Sequence, residues 1–197
     1  MLVLGVLQFV ALGVRGAAWG SALIVIGLAS FYFRSSAMLV VYGVAMVWVA
    51  LSNALVGQTT WLVLQLFLAV LALTRFASFR KMEGNLSPDE LAASGLRPGR
   101  AAKIFPWAAG ALGVVALVGL LGMFSAGVLI GLVKGAQAVV PPILLRAEEL
   151  VAAGAVLACA AALGSLLSTQ PRRSGAVVGL ATGGLTVLTE VILMLVM

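Results

Sequence analysis

The chain has no histidine, one cysteine and only six acidic residues, and just 9% of its 197 residues are charged. Each shortage closes off a chemistry. Without histidine there is no imidazole general base, no histidine ligand for haem or chlorophyll, and no usual core for a zinc site. The single cysteine, Cys159, cannot close an intramolecular disulfide or hold a metal cluster. Its place in the apolar run from Leu150 to Leu167 gives it the character of a small buried hydrophobe. A soluble domain carries roughly a quarter charged residues. A chain that is 63% hydrophobic, with a mean hydropathy of +1.21, instead reads as an integral membrane protein.

Catalytic motifs are missing too. Glycine-rich substrings lack the following lysine-serine or lysine-threonine and the preceding strand that a phosphate loop needs, and no nucleophile is paired with a base. The expectation is a protein that is not an enzyme and carries no cofactor or metal. Twelve Lys and Arg against six Asp and Glu leave a net charge of +6. In a membrane chain this excess points to loops held on the cytoplasmic side rather than to nucleic-acid binding.

What is abundant is uninterrupted apolar sequence. Charge-free intervals run over 16–33, 35–74, 104–133, 150–171 and 174–189, the second being twice what one helix needs to cross a bilayer. Gly57-Gln58-Thr59-Thr60 is the natural turn within it. The runs show no polar alternation, which disfavours barrel strands. They predict an all-α polytopic bundle with helices at about 17–33, 36–56, 60–79, 104–130, 148–168 and 175–196. Residues 1–14 form a further short element. At about 1.5 Å per residue it reaches about 21 Å, short of a hydrocarbon core about 30 Å thick. Arg15 follows this stretch and no basic region precedes it, the reverse of a signal peptide, so it is expected to stay in the protein. If it spans, there are seven helices rather than six.

Six of the twelve basic residues, Arg75, Arg80, Lys81, Arg97, Arg100 and Lys103, fall around the 80–103 loop, which the positive-inside bias makes cytoplasmic. Threading from it places nine basic residues inside and three (Arg15, Lys134, Arg146) outside, with the C-terminus outside. The location this implies is a multi-pass one, in a bacterial inner membrane. Within the loop, Ser87-Pro88-Asp89-Glu90 combines an N-cap serine, a proline at the first helical position and a glutamate at the third, with Gly95 to end a short helix over 88–94.

The loop divides the chain into an N-terminal aromatic-rich unit (1–79), the loop itself (80–103) and a Gly/Ala-rich three-helix unit (104–197). Three helices on each side give the orientation pattern of an inverted repeat. The halves nonetheless differ: 11 of 14 aromatics lie in residues 1–79, and 13 of 23 glycines lie after residue 109. Trp19, Phe31, Tyr32, Phe33, Trp61, Phe76 and Phe79 fall near the expected membrane surfaces, as anchoring belts do. Gly127, Gly131 and Gly135 are spaced by four, as are Gly175, Gly179 and Gly183, so each set is expected to line one side of a helix and admit another backbone closely.

Three polar residues stand out within the spans. Glu190 lies seven residues after Gly183, two turns on and about 20° round, so it shares the glycine face. An intramembrane carboxylate suggests a proton relay, ion site or counter-ion. Near the outer end of the last helix it could instead reach interfacial water or pair with Lys134 or Arg146. Asn53 and Gln65 flank the Gln58 turn, and antiparallel helices would bring them to one depth, where one amide can satisfy the other. Glu148 and Glu149 sit at a helix start, where the helix dipole favours acids. The leading expectation is a non-catalytic subunit or assembly component of a larger membrane complex, in contact with the lipid bilayer and with other subunits or copies of itself. The alternative is a small transporter or channel with Glu190, Asn53 and Gln65 on its pathway.

Overall fold

The computed structural model describes residues 17–55, 59–134, 142–168 and 173–196, and all regular structure among them is helical. The protein is a polytopic α-helical membrane protein. Seven helices follow in order: α1 (Ala17–Phe33), α2 (Ser36–Leu55), α3 (Thr59–Asn85), α4 (Pro88–Ser94), α5 (Pro98–Lys134), α6 (Pro142–Leu166) and α7 (Arg173–Val196). Of these α2, α3, α5, α6 and α7 are long and apolar enough to cross a membrane, and α1 adds a shorter apolar helix. The 1–14 element, the Gly57-Gln58 turn and Gly135 lie outside the described residues.

Helix ends depart from the apolar limits in an instructive way. α3 does not stop at Phe79 but runs on to Asn85, because Arg80, Lys81, Met82 and Glu83 are good helix formers with nothing to break them. α5 starts at Pro98 rather than 104, with proline in the position where its missing N–H costs nothing. It then passes through Pro106, which removes one hydrogen bond to the preceding turn. Most of the 80–103 loop is therefore helix. The loop's short helix forms as expected: the Ser87 side chain accepts from the Glu90 backbone N–H, Glu90 Oε2 accepts from the Ser87 N–H at 2.8 Å, and Gly95 closes the end at φ 73°.

Two helices form the centre. The apolar stretches of α2 and α6 are each 56% buried, against 17% for α3 and 11% for α5. α2 and α6 run antiparallel, and at one end Gly164 of α6 sits so close to Ala37 that an added Cβ would lie 2.9 Å from the Ala37 carbonyl oxygen. α3 packs chiefly on α2, while α5, α6 and α7 each pack on the other two. The alanines of α6 supply the thin wall this needs: Ala155, Ala158, Ala160 and Ala162 are all fully buried. The outward faces of α3 and α5 carry Val63, Phe67, Val115, Phe124 and Leu132, each more than 60% exposed, which is what a lipid-facing surface requires.

Not every aromatic serves as an anchor. Trp19 is buried against Trp48 with ring centroids 6.4 Å apart, and Phe33 meets Phe105 edge to face at 5.0 Å. Both join the core because α1 packs on α2, α5 and α6 at these two levels.

Candidate functional site: buried polar groups at the two ends of the bundle

The inward face of α7 is a single line of small or polar residues: Ala176, Gly179, Gly183, Thr186 and Glu190. Their spacing alternates three and four, the seam of closely packed helices. A Cβ on Gly175 would lie 2.4 Å from the Pro106 carbonyl oxygen, and one on Gly179 would lie 2.5 Å from the Ala109 carbonyl carbon. Gly183 faces Ala155, Ala158 and Cys159 in the same manner. α5 answers with Gly110 and Gly113, the latter against Gly179 itself. The other sequence stripe is different. Gly127 of α5 is exposed and has nothing within 4 Å of an added Cβ. Gly131 belongs to α5 too, but its surroundings are not described.

Glu190 ends the α7 line, and its position departs from the interfacial one the sequence allowed. It is only 2% exposed, so it does not reach out to water, and its Oε1 finds no hydrogen-bond partner among the described residues. The physical reason is the face it shares with Gly179 and Gly183, which is turned to α5 and α6. Glu148 of α6 is near enough to act on it electrostatically, with charge of the same sign. The side chains of Lys134 and Arg146 lie outside the described ones. Comparison of the chain with protein families, curated proteins and solved structures returns no match.

At the same end, the structure brings Asn53 and Gln65 together. Both are 5% exposed, and Asn53 Nδ2 donates to Gln65 Oε1 at 2.9 Å. The two amides thus spend hydrogen-bonding capacity on one another and tie the end of α2 to the start of α3.

The opposite end holds a carboxylate that the sequence reading passed over. Glu83, 5% exposed, accepts from the Ser36 backbone N–H at 2.6 Å and from the Ser36 hydroxyl at 2.5 Å. It therefore caps α2 from another helix, meeting an N-terminal donor that has no partner in its own helix. The turn before it is strained: Arg34 has φ 39°, unusual for any residue but glycine. The Arg34 carbonyl accepts from the Arg97 N–H at 3.2 Å, and the Arg100 guanidinium stands 5.3 Å from the Tyr32 ring, so the segment before α5 is docked on the α1–α2 corner. Among the described residues no group of three or more Cys, Asp or Glu side chains is placed to hold a metal.

Proposed function

We propose that this chain is a non-catalytic integral membrane subunit, a structural or assembly component of a larger complex, that meets other membrane subunits or further copies of itself in the bilayer. One observation carries the reading. α5 keeps a broad outward apolar face exposed, and on it Gly122 and Gly127 are open while Leu121, Phe124 and Val128 stand out beside them. A lipid-facing glycine contributes almost no contact, whereas the same glycine lets a partner helix approach closely. Native mass spectrometry of the gently solubilised protein tests the proposal: a stoichiometric partner or a defined homo-oligomer supports it, and a uniform monomer overturns it.

In this reading the Arg75–Lys103 side is cytoplasmic and the membrane is a bacterial inner membrane, on the strength of the nine-to-three distribution of basic residues. Labelling of Ser94→Cys in a Cys159→Ala background from outside intact cells would refute that orientation.

A second reading is favoured by Glu190 alone. A buried carboxyl with an oxygen unpartnered among the described residues and an acidic neighbour is what a proton- or cation-coupled pathway uses. Asn53 and Gln65 serve that reading less well, since they are bound to each other. For a transporter, Glu190→Gln would abolish flux in proteoliposomes while leaving the protein folded. For the subunit, assembly survives the substitution and wild-type vesicles carry no pH-dependent flux.

A further inference from the structure

At the basic end of α3, Phe76, Ala77, Arg80, Lys81, Gly84 and Asn85 line a shallow, open recess along one face of the helix. We propose that this recess holds the phosphate headgroup of an anionic phospholipid. The inference is independent of whether the chain is a subunit or a transporter.

Depth is the first argument. α3 has 27 residues and at about 1.5 Å per residue is about 40 Å long, whereas the hydrocarbon core is about 30 Å thick. Counted from Trp61, about 20 residues cross the core, which brings Arg80 and Lys81 to the headgroup layer. Charge is the second. None of the lining residues is acidic. The one acid of this helix, Glu83, faces away into the bundle with its two oxygens held by Ser36, so it does not neutralise the recess.

Shape and chemistry are the third. Gly84 has nothing within 4 Å of an added Cβ, so the helix surface one turn beyond the two cations stays open. A guanidinium can clasp a phosphate through two parallel N–H bonds, lysine adds a mobile point charge, and the Asn85 amide is a further donor. On the membrane side, Phe76 and Ala77 offer apolar surface to the glycerol and upper acyl chain.

The test uses the full chain, delipidated in detergent and titrated with phosphatidylglycerol or phosphatidylcholine under native mass spectrometry. The expected result is one saturable phosphatidylglycerol per chain and little retention of phosphatidylcholine. Losing both cations in Arg80→Gln/Lys81→Gln should weaken retention by about an order of magnitude or more. Gly84→Leu is the decisive variant, because it keeps every charge, meets no steric obstacle and fills the recess: retention should fall as well. Arg75→Gln, outside the recess, should have little effect. Unchanged retention in the double variant, or equal binding of phosphatidylcholine, overturns the proposal. Full retention by Gly84→Leu also overturns it, in favour of diffuse attraction to the basic end. Displacement of the lipid by millimolar inorganic phosphate would assign the site to free phosphate instead.

Discussion

Gly179→Ala adds one methyl group to α7, and the structure gives that methyl nowhere to go. Its Cβ would stand 2.5 Å from the Ala109 carbonyl carbon, 2.6 Å from its oxygen and 2.7 Å from its Cβ, two of the three being backbone atoms that cannot rotate aside. To reach ordinary contact at 3.4 Å, α5 and α7 must part by about 0.9 Å at this point. A radial gap of ~0.5–1 Å forfeits a quarter to a half of each dispersion contact along the seam. Gly110, Gly113 and Gly175 lie on that same seam, so the loss is shared, and overpacking of this kind costs about 1–3 kcal/mol. For a chain of this size the melting midpoint should fall by roughly 2–12 °C. Gly184→Ala, on the same helix, is the matched control. With nothing within 4 Å, it should be neutral or gain up to about 1 kcal/mol from helix propensity. Thermal unfolding of the purified protein in a mild detergent, followed by circular dichroism, measures both. A Gly179→Ala protein as stable as the Gly184→Ala control would refute the close approach of α5 and α7.

Further outcomes follow from the polar groups. In a double-mutant cycle, Asn53→Ala and Gln65→Ala should couple by about 0.6–1.7 kcal/mol, the range of interhelical hydrogen bonds in membranes; zero coupling would mean that the 2.9 Å contact contributes nothing. Glu83→Ala should destabilise by about 1–3 kcal/mol, because it strands two buried donors of Ser36, and Glu83→Gln by less, since one acceptor remains. Equal losses in the two variants would show that the cap does not act through hydrogen bonds. Glu190→Gln should leave thermal stability unchanged or raise it, because it keeps the shape while removing a buried charge that faces Glu148 and has an oxygen without a partner among the described residues; a clear loss would reveal a partner for the carboxylate. The backbone N–H of Ser87, and then its hydroxyl, hold the Glu90 carboxyl below its ordinary value of 4.5. A depressed folded-state value means that the cap stabilises α4 above pH 4.5 and weakens as pH falls below it. Protection of the amides over residues 88–94, taken relative to the intrinsic exchange rate at each pH, should therefore fall only on the acid side, and a flat protection profile would exclude the capping box.

The sequence was informative where physics acts locally. Apolar length marked every described span, the Ser87–Glu90 box marked α4, and the spacing of Gly175, Gly179 and Gly183 marked a packed face. It was uninformative where packing decides. Hydrophobicity ends where the bilayer ends, not where a helix ends, so α3 and α5 reach further than their apolar stretches. Gly127 and Gly179 sit in similar four-residue repeats, yet among the described residues only Gly179 has a helix across from it, and no local pattern tells them apart. Glu83 was concealed by its basic neighbours. Its signal was periodicity: it lies eleven residues, about three turns, beyond Ala72 and thus on the face already marked by Gln65 and Ala69. Glu190 shared its face with the glycines as the spacing implied, but the depth of its burial depended on how far α5 and α6 accompany α7.

The two bonds that α2 makes through its buried polar side chains, Asn53 to Gln65 and Ser36 to Glu83, both go to α3, one at each end. Yet much of its apolar surface is covered by α6, which lies more than a hundred residues further along the chain. At a synthesis rate of about 5–20 residues per second, α2 waits on the order of ten seconds for that partner. During the wait, the face around Ala37 and Val41 that will receive Gly164 is bare. The hairpin of α2 and α3 needs nothing later in the chain to be pinned at both tips. It can hold its register in the bilayer as a preassembled cradle, and α6 arrives to find its seat already aligned.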